Sequence, residues 1–327
     1  MNLCILGSGS FGSAMAISLA KNAKSVMLWS RSPSFVNELK KSGKNKKYLS
    51  TVKFPNNVKI TSDLKFSMKN ASVIILCIPA QKIYNFIHEH HTIIPNIPIV
   101  LCSKGIDENT LLLQSEVIQK FCTKNVIAVL TGPSFADELA KGLPTALTLA
   151  CENTNVRDYL QKSLSTQTLR LYSSSDIIGA QIGGSLKNVV AIGCGMVKGA
   201  DLGESAQTAL MTRGFSEIVD LGCAMGGNMS TFFGLSGLGD LALTCNSIKS
   251  RNFVLGLNYN KISDNSIHGT IEGIKTASAA NKLANKLGVE APVIKTIDLI
   301  LKDKISLQFS IKYLLSRPLK TEFSQYL

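Results

Sequence analysis

The sequence predicts a two-domain α/β protein, in which a doubly wound parallel sheet precedes an all-α domain. Short β-rich runs alternate with helical patterns in the N-terminal half, as they do in βαβ units. After about Asp176 the strand signals fade and long helical patterns follow. The 327 residues are also sufficient for two domains of ordinary size. We therefore expect one domain over residues 1–176 and a second over residues 177–327.

The individual elements are predicted from hydrophobic patterning. Strands that are apolar along nearly their whole length are typical of a parallel sheet with helices on both faces. Such runs lie at Leu3–Leu6, Ser25–Trp29, Ser72–Ile78, Pro98–Cys102, Val126–Leu130 and Thr145–Cys151. A further helix and strand, at Val156–Leu164 and Thr168–Tyr172, are expected to close this domain. Helical patterns of the second domain lie at Ile177–Val197, Glu204–Met225, Ser236–Cys245, Glu272–Leu287 and Val293–Leu301.

Composition excludes several classes of protein. The eight cysteines are widely spaced, never form a CxxC pair and are accompanied by only four histidines, so we expect no metal site. Several lie in apolar runs, as Cys77 and Cys102 do, which is typical of buried thiols in a reduced, cytoplasmic protein. The first residues lack the pattern of a secretory signal, and the most apolar stretches are too short or too interrupted by glycine to cross a bilayer of about 30 Å. We expect a soluble protein without stable membrane insertion.

The net charge of +13 favours anionic partners, such as phosphorylated metabolites, nucleotides, nucleic acid or a membrane surface. Lysine and asparagine are abundant throughout the chain, so compositional bias is a second explanation. The densest run of lysines, from Lys40 to Lys47, has the pattern of a solvated loop. Aromatic residues that could stack on bases do not interleave with the lysines, so we expect no nucleic-acid partner.

The first predicted strand is followed by a GxGxxG motif, residues 7–12, and then by an Ala-rich helical run. In such a motif Gly7 permits the tight turn, Gly9 lets the backbone approach a pyrophosphate, and Gly12 allows helix and strand to pack closely. The same glycines could form a simple turn. The order strand, turn and helix favours a Rossmann-like dinucleotide site with the helix N-terminus facing the anion.

The end of the second strand bears on the choice of cofactor. An Asp or Glu about twenty residues after the glycine motif accepts a hydrogen bond from the adenosine ribose of NAD. This chain has Ser30-Arg31-Ser32 there, and an arginine can pair with the 2′-phosphate of NADP. We expect NADP(H) to be accepted as well as NAD(H). The alternative is that Arg31 only faces solvent.

Polar residues follow two strands at their carboxyl ends, the edge at which open parallel sheets bind ligands. Ser103-Lys104-Gly105 comes after one strand, and Thr131-Gly132-Pro133-Ser134-Phe135-Ala136 comes after the next. Lys104 either contacts a ligand there or is a surface cation on a turn.

A lysine and an asparagine, Lys187 and Asn188, enter a helix that is apolar on all sides and therefore buried. Desolvation lowers the pKa of a lysine toward the range useful for proton transfer. Lys187 is thus a candidate general acid and base. The alternative is a lysine that extends to solvent at the domain edge.

Two further segments carry polar groups. Asp240, in Gly237-Leu238-Gly239-Asp240, is expected at a helix N-cap, which could be its entire role. Ser250-Arg251-Asn252 is expected to begin the next helix and to present backbone N–H groups and a guanidinium to a phosphate.

These motifs, in this order, resemble those of the bacterial NAD(P)-dependent glycerol-3-phosphate dehydrogenases. The shared segments are GSGSFG, SKG after a strand, TGPSFADELAKG, SLKNVVAIGCGM, GLSGLGDLALTC with SIKSRN, and TIEGIKTA. The resemblance runs from residue 2 to about residue 300. It implies reduction of dihydroxyacetone phosphate by NAD(P)H to sn-glycerol 3-phosphate, a precursor of phospholipids.

The resemblance also implies roles for single residues. Lys187 matches the family's proton donor and acceptor, and Lys104 matches a contact to both substrate and cofactor. The other positions that match substrate contacts are Gly132, Ser134, Asp240, Ser250, Arg251 and Asn252. The positions that match cofactor contacts are Ser10, Phe11, Arg31, Ala136, Arg251, Thr270 and Glu272. Phe11 departs from the tryptophan of many members, but the position stays aromatic.

Two other functions remain open at this point. Another dehydrogenase with this two-domain plan, of the hydroxyacid or 6-phosphogluconate type, also uses a lysine on the first helix of its second domain. The segments GLGDLALTC and Ser250-Arg251-Asn252 argue against it. A non-catalytic dinucleotide-sensing module would need neither Lys187 nor Arg251. The helical second domain could also pair with a second copy to form a homodimer.

Overall fold

A mixed β-sheet forms the N-terminal part of the structure, a computed structural model that describes residues 1–259 and 271–310. The strands are β1 (Asn2–Leu6), β2 (Ser25–Trp29), β3 (Lys44–Asn45), β4 (Leu49–Lys53), β5 (Val58–Thr61), β6 (Val73–Leu76), β7 (Ile99–Leu101), β8 (Ile127–Thr131), β9 (Thr145–Ala150) and β10 (Leu169–Ser174). Within the described ranges, eight of these strands form one sheet in the order β10-β9-β8-β7-β6-β1-β2-β5.

Helices connect the strands and make up the C-terminal part. Those between strands are α1 (Ser10–Leu19), α2 (Pro33–Ser42), α3 (Leu64–Met68), α4 (Ala80–His90), α5 (Gln114–Phe121), α6 (Ala136–Lys141) and α7 (Thr154–Leu164). The C-terminal helices are α8 (Ile177–Gly199), α9 (Glu204–Ala224), α10 (Met229–Phe232), α11 (Asp240–Cys245), α12 (Arg251–Leu257), α13 (Glu272–Leu287) and α14 (Pro292–Leu301). A π-helical turn, Leu235–Gly239, precedes α11. The predicted fold class, a Rossmann-like sheet followed by helices, is confirmed.

The sheet is doubly wound about β1, which pairs in parallel with β2 on one side and β6 on the other. The strands β5, β7 and β8 continue this parallel arrangement outward. The last two strands differ, because β9 pairs antiparallel with β8 and β10 runs parallel to β9. Apolar content gives the position of a buried strand but not its direction, which is why the sequence pattern did not show this reversal.

Both faces of the sheet are buried, as the apolar runs predicted. Along β1, Leu3 and Ile5 contribute to the apolar cluster on one face, and Cys4 and Leu6 contribute to the cluster on the other. Side chains alternate between the faces of a strand, so a continuous apolar run requires helices on both sides.

The lysine-rich segment is more ordered than a solvated loop, so that part of the expectation was wrong. Lys40 and Lys41 form the last turn of α2, and Lys44 belongs to β3, which pairs antiparallel with β4. Lys46 and Lys47 lie in the turn of this hairpin. The expected solvent exposure does hold for Lys40, Lys41, Lys46 and Lys47, whereas Lys44 is partly buried. Asn45 is buried.

The helical part is organised around α8, which contacts α9, α11, α12 and α13. This helix is long and apolar enough to cross a membrane, but 94% of its most apolar window is buried inside the protein. Such burial is typical of a core helix. The Asp176 carboxylate fixes its start, accepting from the Gly179 N–H at 2.8 Å and from the Asn228 N–H at 2.9 Å.

Candidate active site

The glycine motif forms the turn between β1 and α1. Gly7 has a φ of +114°, and a Cβ there would lie 2.7 Å from the Cys77 carbonyl oxygen, so both conformation and space require glycine. A Cβ on Gly12 would overlap the Gly7 carbonyl oxygen. Gly9 has no atom within 4 Å of an added Cβ and brings no side chain to cap α1. The loop therefore fits a pyrophosphate approaching the first N–H groups of α1.

Arg31 lies two residues beyond the end of β2 and is separated from α2 by the N-cap residue Ser32. Its side chain is exposed. Ser32 caps α2, because its hydroxyl accepts from the Phe35 N–H at 3.3 Å. A guanidinium beside a helix N-terminus creates positive potential, which suits a phosphate such as that of NADP.

Lys187 lies on α8 and is only 6% exposed. Its ammonium group donates to Asp240 Oδ1 and to Thr244 Oγ1, the latter at 2.8 Å. Asp240 is fully buried. The partners that a buried lysine requires are therefore supplied by α11, not by solvent at a domain edge.

Lys104, which follows β7, bonds to the other oxygen of the same carboxylate. Its Nζ lies 2.7 Å from Asp240 Oδ2 and 3.4 Å from the carbonyl oxygen of Gly132, which follows β8. Two ammonium groups from different parts of the chain thus share one carboxylate. Asp240 does not cap α11, which begins after Gly239, so that expectation was wrong.

The sheet and the helices meet at the carboxyl ends of the strands. The Gly105 N–H donates to Ser185 Oγ on α8 at 2.8 Å. Because β1, β6, β7 and β8 are parallel, the glycine loop, Lys104 and Gly132 lie along the same edge. The lysine pair therefore faces the edge that carries the dinucleotide loop.

Burial lowers the pKa of Lys187 to about 8. The negative charge of Asp240 opposes this shift, and the positive charge of Lys104 adds to it. Two cations around one carboxylate leave a surplus of positive charge, so loss of a proton from Lys187 is favoured. A pKa lowered toward the working pH suits a group that both gives and takes a proton.

The three residues at the start of α12 have different environments. Ser250 caps the helix, since its hydroxyl accepts from the Phe253 N–H at 3.2 Å. Asn252 donates to Asn188 Oδ1 at 2.9 Å and accepts from the Gly273 N–H at 3.1 Å, so it joins α8, α12 and α13. Arg251, the first residue of the helix, is exposed. Of the three side chains, the Arg251 guanidinium is best placed to meet a ligand.

Glu272 begins α13 and links it to the start of α4, because its Oε1 accepts from the Ala80 N–H at 3.1 Å. Burial raises the pKa of Glu272, while this N–H and the charges of Arg251 and Lys104 lower it. These charges connect the Arg251 region electrostatically with the lysine pair. Thr270 lies outside the described residues.

The remaining predicted residues line the strand ends. Ser134 Oγ donates to the Gly132 carbonyl at 3.4 Å, and Ala136 begins α6. Ser10, at the start of α1, donates to the Tyr48 carbonyl at 3.4 Å. Phe11 packs against the core cluster of the sheet.

The sequence analysis did not identify Thr244, which bonds to the Lys187–Asp240 pair, or Asn45, which bonds to the glycine loop. Thr244 accepts from Lys187 and donates to the Asp240 carbonyl at 2.6 Å. Its spacing of four residues from Asp240 places both on one face of a helix, a signal that could have indicated it. Asn45, which contacts the glycine loop, is separated from it in sequence and gave no local signal.

A dinucleotide loop at the edge of a doubly wound sheet, facing a buried lysine whose pKa is lowered to about 8, defines an NAD(P)-dependent dehydrogenase. In residues 1–259 and 271–310, no group of three or more His, Cys, Asp or Glu side chains is arranged to hold a metal ion. Comparison with known proteins identifies the family. Residues 2–157 match the model for the NAD-dependent glycerol-3-phosphate dehydrogenase N-terminus, and residues 176–312 match the model for its C-terminus.

Whole-length relatives agree with these matches. The chain is 44% identical to the glycerol-3-phosphate dehydrogenase [NAD(P)+] of Ruegeria sp. (strain TM1040), covering 98% of this chain and 100% of the relative. It is 41% identical to that of Brucella canis, with 98% of each chain covered. The crystal structure of glycerol-3-phosphate dehydrogenase from Coxiella burnetii superposes with a TM-score of 0.92 at 35% identity, covering 97% of this chain and 99% of that one. The protein belongs to the NAD-dependent glycerol-3-phosphate dehydrogenase family.

Proposed function

We propose that the protein catalyses the reversible, NAD(P)H-dependent reduction of dihydroxyacetone phosphate to sn-glycerol 3-phosphate. The observation that carries this proposal is the sharing of the Asp240 carboxylate by Lys187 and Lys104, at the sheet edge that bears the dinucleotide loop. The relatives from Ruegeria and Brucella, named for glycerol-3-phosphate dehydrogenase activity, support the choice of substrate.

In the reduction, the bound NAD(P)H supplies a hydride to C2 of the ketone. Protonated Lys187 gives its proton to the C2 oxygen, where negative charge develops, and Lys104 stabilises the same charge. Asp240 holds both ammonium groups in place, and Thr244 fixes the orientation of the Lys187 ammonium. Lys187 is left neutral and regains a proton from solvent. In the oxidation of glycerol 3-phosphate, neutral Lys187 takes the proton from the C2 hydroxyl.

The substrate phosphate is assigned to the start of α12. Arg251 supplies a guanidinium fork at the first turn, where backbone N–H groups also favour an anion. Ser250 and Asn252 shape this turn through their hydrogen bonds to Phe253, Asn188 and Gly273. Gly132 and Ser134, after the end of β8, would form the opposite side of the substrate site.

The cofactor is assigned to the glycine loop and its neighbours. The residues that would face the pyrophosphate are Gly7, Gly9, Ser10, Phe11 and Gly12. Arg31 would contact the adenosine end, and Ala136, Thr270 and Glu272 would contact the rest of the dinucleotide. Lys104 and Arg251 would contact both the cofactor and the substrate. We assign cofactor binding to residues 1–176 and substrate binding to residues 177–327, and we expect a cytoplasmic enzyme of glycerophospholipid synthesis that pairs as a homodimer.

Oxidation of NADPH, followed by absorbance, tests the activity. We expect a rate that depends on dihydroxyacetone phosphate and that is far lower with unphosphorylated dihydroxyacetone at equal concentration. Equal rates with both ketones would contradict the phosphate site. Tight NADPH binding without turnover on any phosphorylated ketone would instead indicate a dinucleotide sensor.

A further inference from the structure

The β3–β4 hairpin, residues 44–53, places a buried asparagine against the dinucleotide loop. Asn45 is 1% exposed. Its Nδ2 donates to the Ser8 carbonyl at 2.9 Å and to Ser13 Oγ at 2.8 Å, and its Oδ1 accepts from the Tyr48 N–H at 3.1 Å. Both N–H groups of the Asn45 amide thus bond to the glycine loop and the start of α1, and its oxygen bonds to the hairpin itself.

The Ser8 carbonyl belongs to the peptide group that joins Ser8 to Gly9. A trans peptide is planar, with its C=O and N–H pointing in opposite directions, so fixing the carbonyl also fixes the Gly9 N–H. Ser13 Oγ donates to the same carbonyl at 3.3 Å, so two donors hold this peptide in one orientation. Gly9 is the residue at which the backbone must approach the pyrophosphate, and α1 begins directly after it.

The hairpin also contacts the region beside Arg31. The Tyr48 ring packs edge-on against Phe35 of α2, with ring centroids 6.1 Å apart. The Tyr48 carbonyl accepts from Ser10 Oγ at the start of α1. The hairpin therefore bridges the N-terminal ends of α1 and α2, the two helix ends to which the proposed function assigns the phosphates of the dinucleotide.

We propose that Asn45 is a positioning residue of the dinucleotide site: by holding the Ser8–Gly9 peptide and the hairpin together, it keeps the loop in the orientation that binds NAD(P)H. This inference rests on the proposed function, since it names a further determinant of cofactor binding by the same enzyme. Asn45 need not touch the cofactor, because its effect passes through the Ser8 carbonyl.

The chain offers a matched control at the opposite end of the same helix. Asn57 Nδ2 donates to the carbonyls of Ala20 and Ala23, at 2.8 and 3.1 Å, just beyond the C-terminus of α1. Replacement of either asparagine by alanine removes an amide with two N–H bonds from α1 and its flanks. Only Asn45 reaches the glycine loop.

The test measures NADPH binding to full-length wild type, Asn45→Ala, Asn45→Asp and Asn57→Ala by quenching of Trp29 emission. Trp29 is the single tryptophan of the chain, and its carbonyl accepts from the Gly7 N–H at 3.1 Å, so it lies next to the loop. We expect Asn45→Ala to raise the Kd for NADPH about tenfold, as loss of one or two net hydrogen bonds predicts. Asn45→Asp should bind at least as weakly, because it keeps the bond to Tyr48 but presents an oxygen to the Ser8 carbonyl.

Melting temperatures without cofactor and steady-state kinetics separate positioning from general destabilisation. Asn57→Ala should lower the melting temperature while its Kd for NADPH stays at the wild-type value. Asn45→Ala should raise KM for NADPH much more than it lowers kcat. A wild-type Kd for NADPH in Asn45→Ala, or equal rises in this Kd for Asn45→Ala and Asn57→Ala, would overturn the inference about Asn45 and leave the proposed function standing. Failure of the wild-type protein to bind NADPH or NADH would overturn the proposed function and the inference with it.

Discussion

Lys187 and Asp240 are 53 residues apart in sequence and form a buried ion pair between α8 and α11. The carboxylate has a second cationic partner, Lys104, so removing a proton from Lys187 still leaves Asp240 paired. A buried carboxylate without a partner would be strongly destabilising. This arrangement lets Lys187 change its charge during turnover at little cost to the fold.

The pKa of Lys187, about 8, predicts opposite pH profiles for the two directions of the reaction. Reduction needs the protonated lysine, so its kcat/KM should fall as the pH rises through about 8. Oxidation of glycerol 3-phosphate needs the neutral lysine, so its kcat/KM should fall as the pH drops through the same value. Profiles of kcat/KM against pH, measured in both directions from pH 6 to 10, check this. If kcat/KM changed with pH in the same sense for both directions, the assignment of Lys187 would be contradicted.

Asp240→Asn should lower the pH at which kcat/KM changes, because it should lower the pKa of Lys187. The carboxylate raises the pKa of Lys187, and its loss leaves desolvation and the Lys104 charge unopposed. Removing an opposite charge at hydrogen-bond distance shifts a pKa by about 1–3 units, so the midpoint should fall by at least about one. The pH profile of the variant measures the shift. A midpoint that stays or rises would show that another group titrates.

Lys187→Ala should slow turnover by about 10²–10⁴, the usual contribution of a positioned acid and base. The Kd for NADPH should change little, because Asp240 keeps its bond to Lys104. Lys198→Ala is the matched control, since Lys198 lies on the same helix with a half-exposed side chain. Single-turnover rates and NADPH titrations measure both effects. Near-normal kcat in Lys187→Ala would remove this residue from the mechanism.

Arg251→Ala should lower kcat/KM for dihydroxyacetone phosphate by about 2–4 kcal/mol in transition-state terms, because the substrate phosphate loses a charge-assisted partner. Arg251→Lys should recover only part of this loss, since an ammonium lacks the bidentate fork. The Kd for NADPH is measured in parallel.

Inorganic phosphite separates the two possible roles of Arg251. With unphosphorylated dihydroxyacetone as substrate, added phosphite should activate the wild-type enzyme by occupying the phosphate site. Arg251→Ala should show no such activation. Equal activation of both proteins would mean that Arg251 does not hold the substrate phosphate.

Arg31→Asp should shift the cofactor preference toward NADH. The substitution replaces a partner of the 2′-phosphate with a carboxylate that repels it and can accept from the ribose hydroxyls of NAD. The ratio of kcat/KM for NADPH to that for NADH measures this preference. An unchanged ratio would show that Arg31 points away from the adenosine end.

Local patterns in the sequence determined much of this protein. The apolar runs located most strands of the large sheet, and the order strand, GxGxxG and helix located the dinucleotide loop. The burial of Lys187 could be predicted because its helix is apolar on all sides, so the sequence alone indicated a lysine with a lowered pKa. Ser250 was correctly expected at the start of α12, since N-cap chemistry is local.

The tertiary structure decided what depends on contacts between distant residues. Asp240 was expected to cap a helix, but folding brings it between the ammonium groups of Lys187 and Lys104. The sequence around Asp240 does not indicate these two partners. The reversed direction of β9 and β10 depends on pairing with β8, which apolar content does not encode. Asn45 shows the same limit: its segment is simply lysine-rich and polar, and only the hairpin brings its amide to the Ser8 carbonyl, because hydrogen-bond partners are chosen by proximity in space and not by position in the chain.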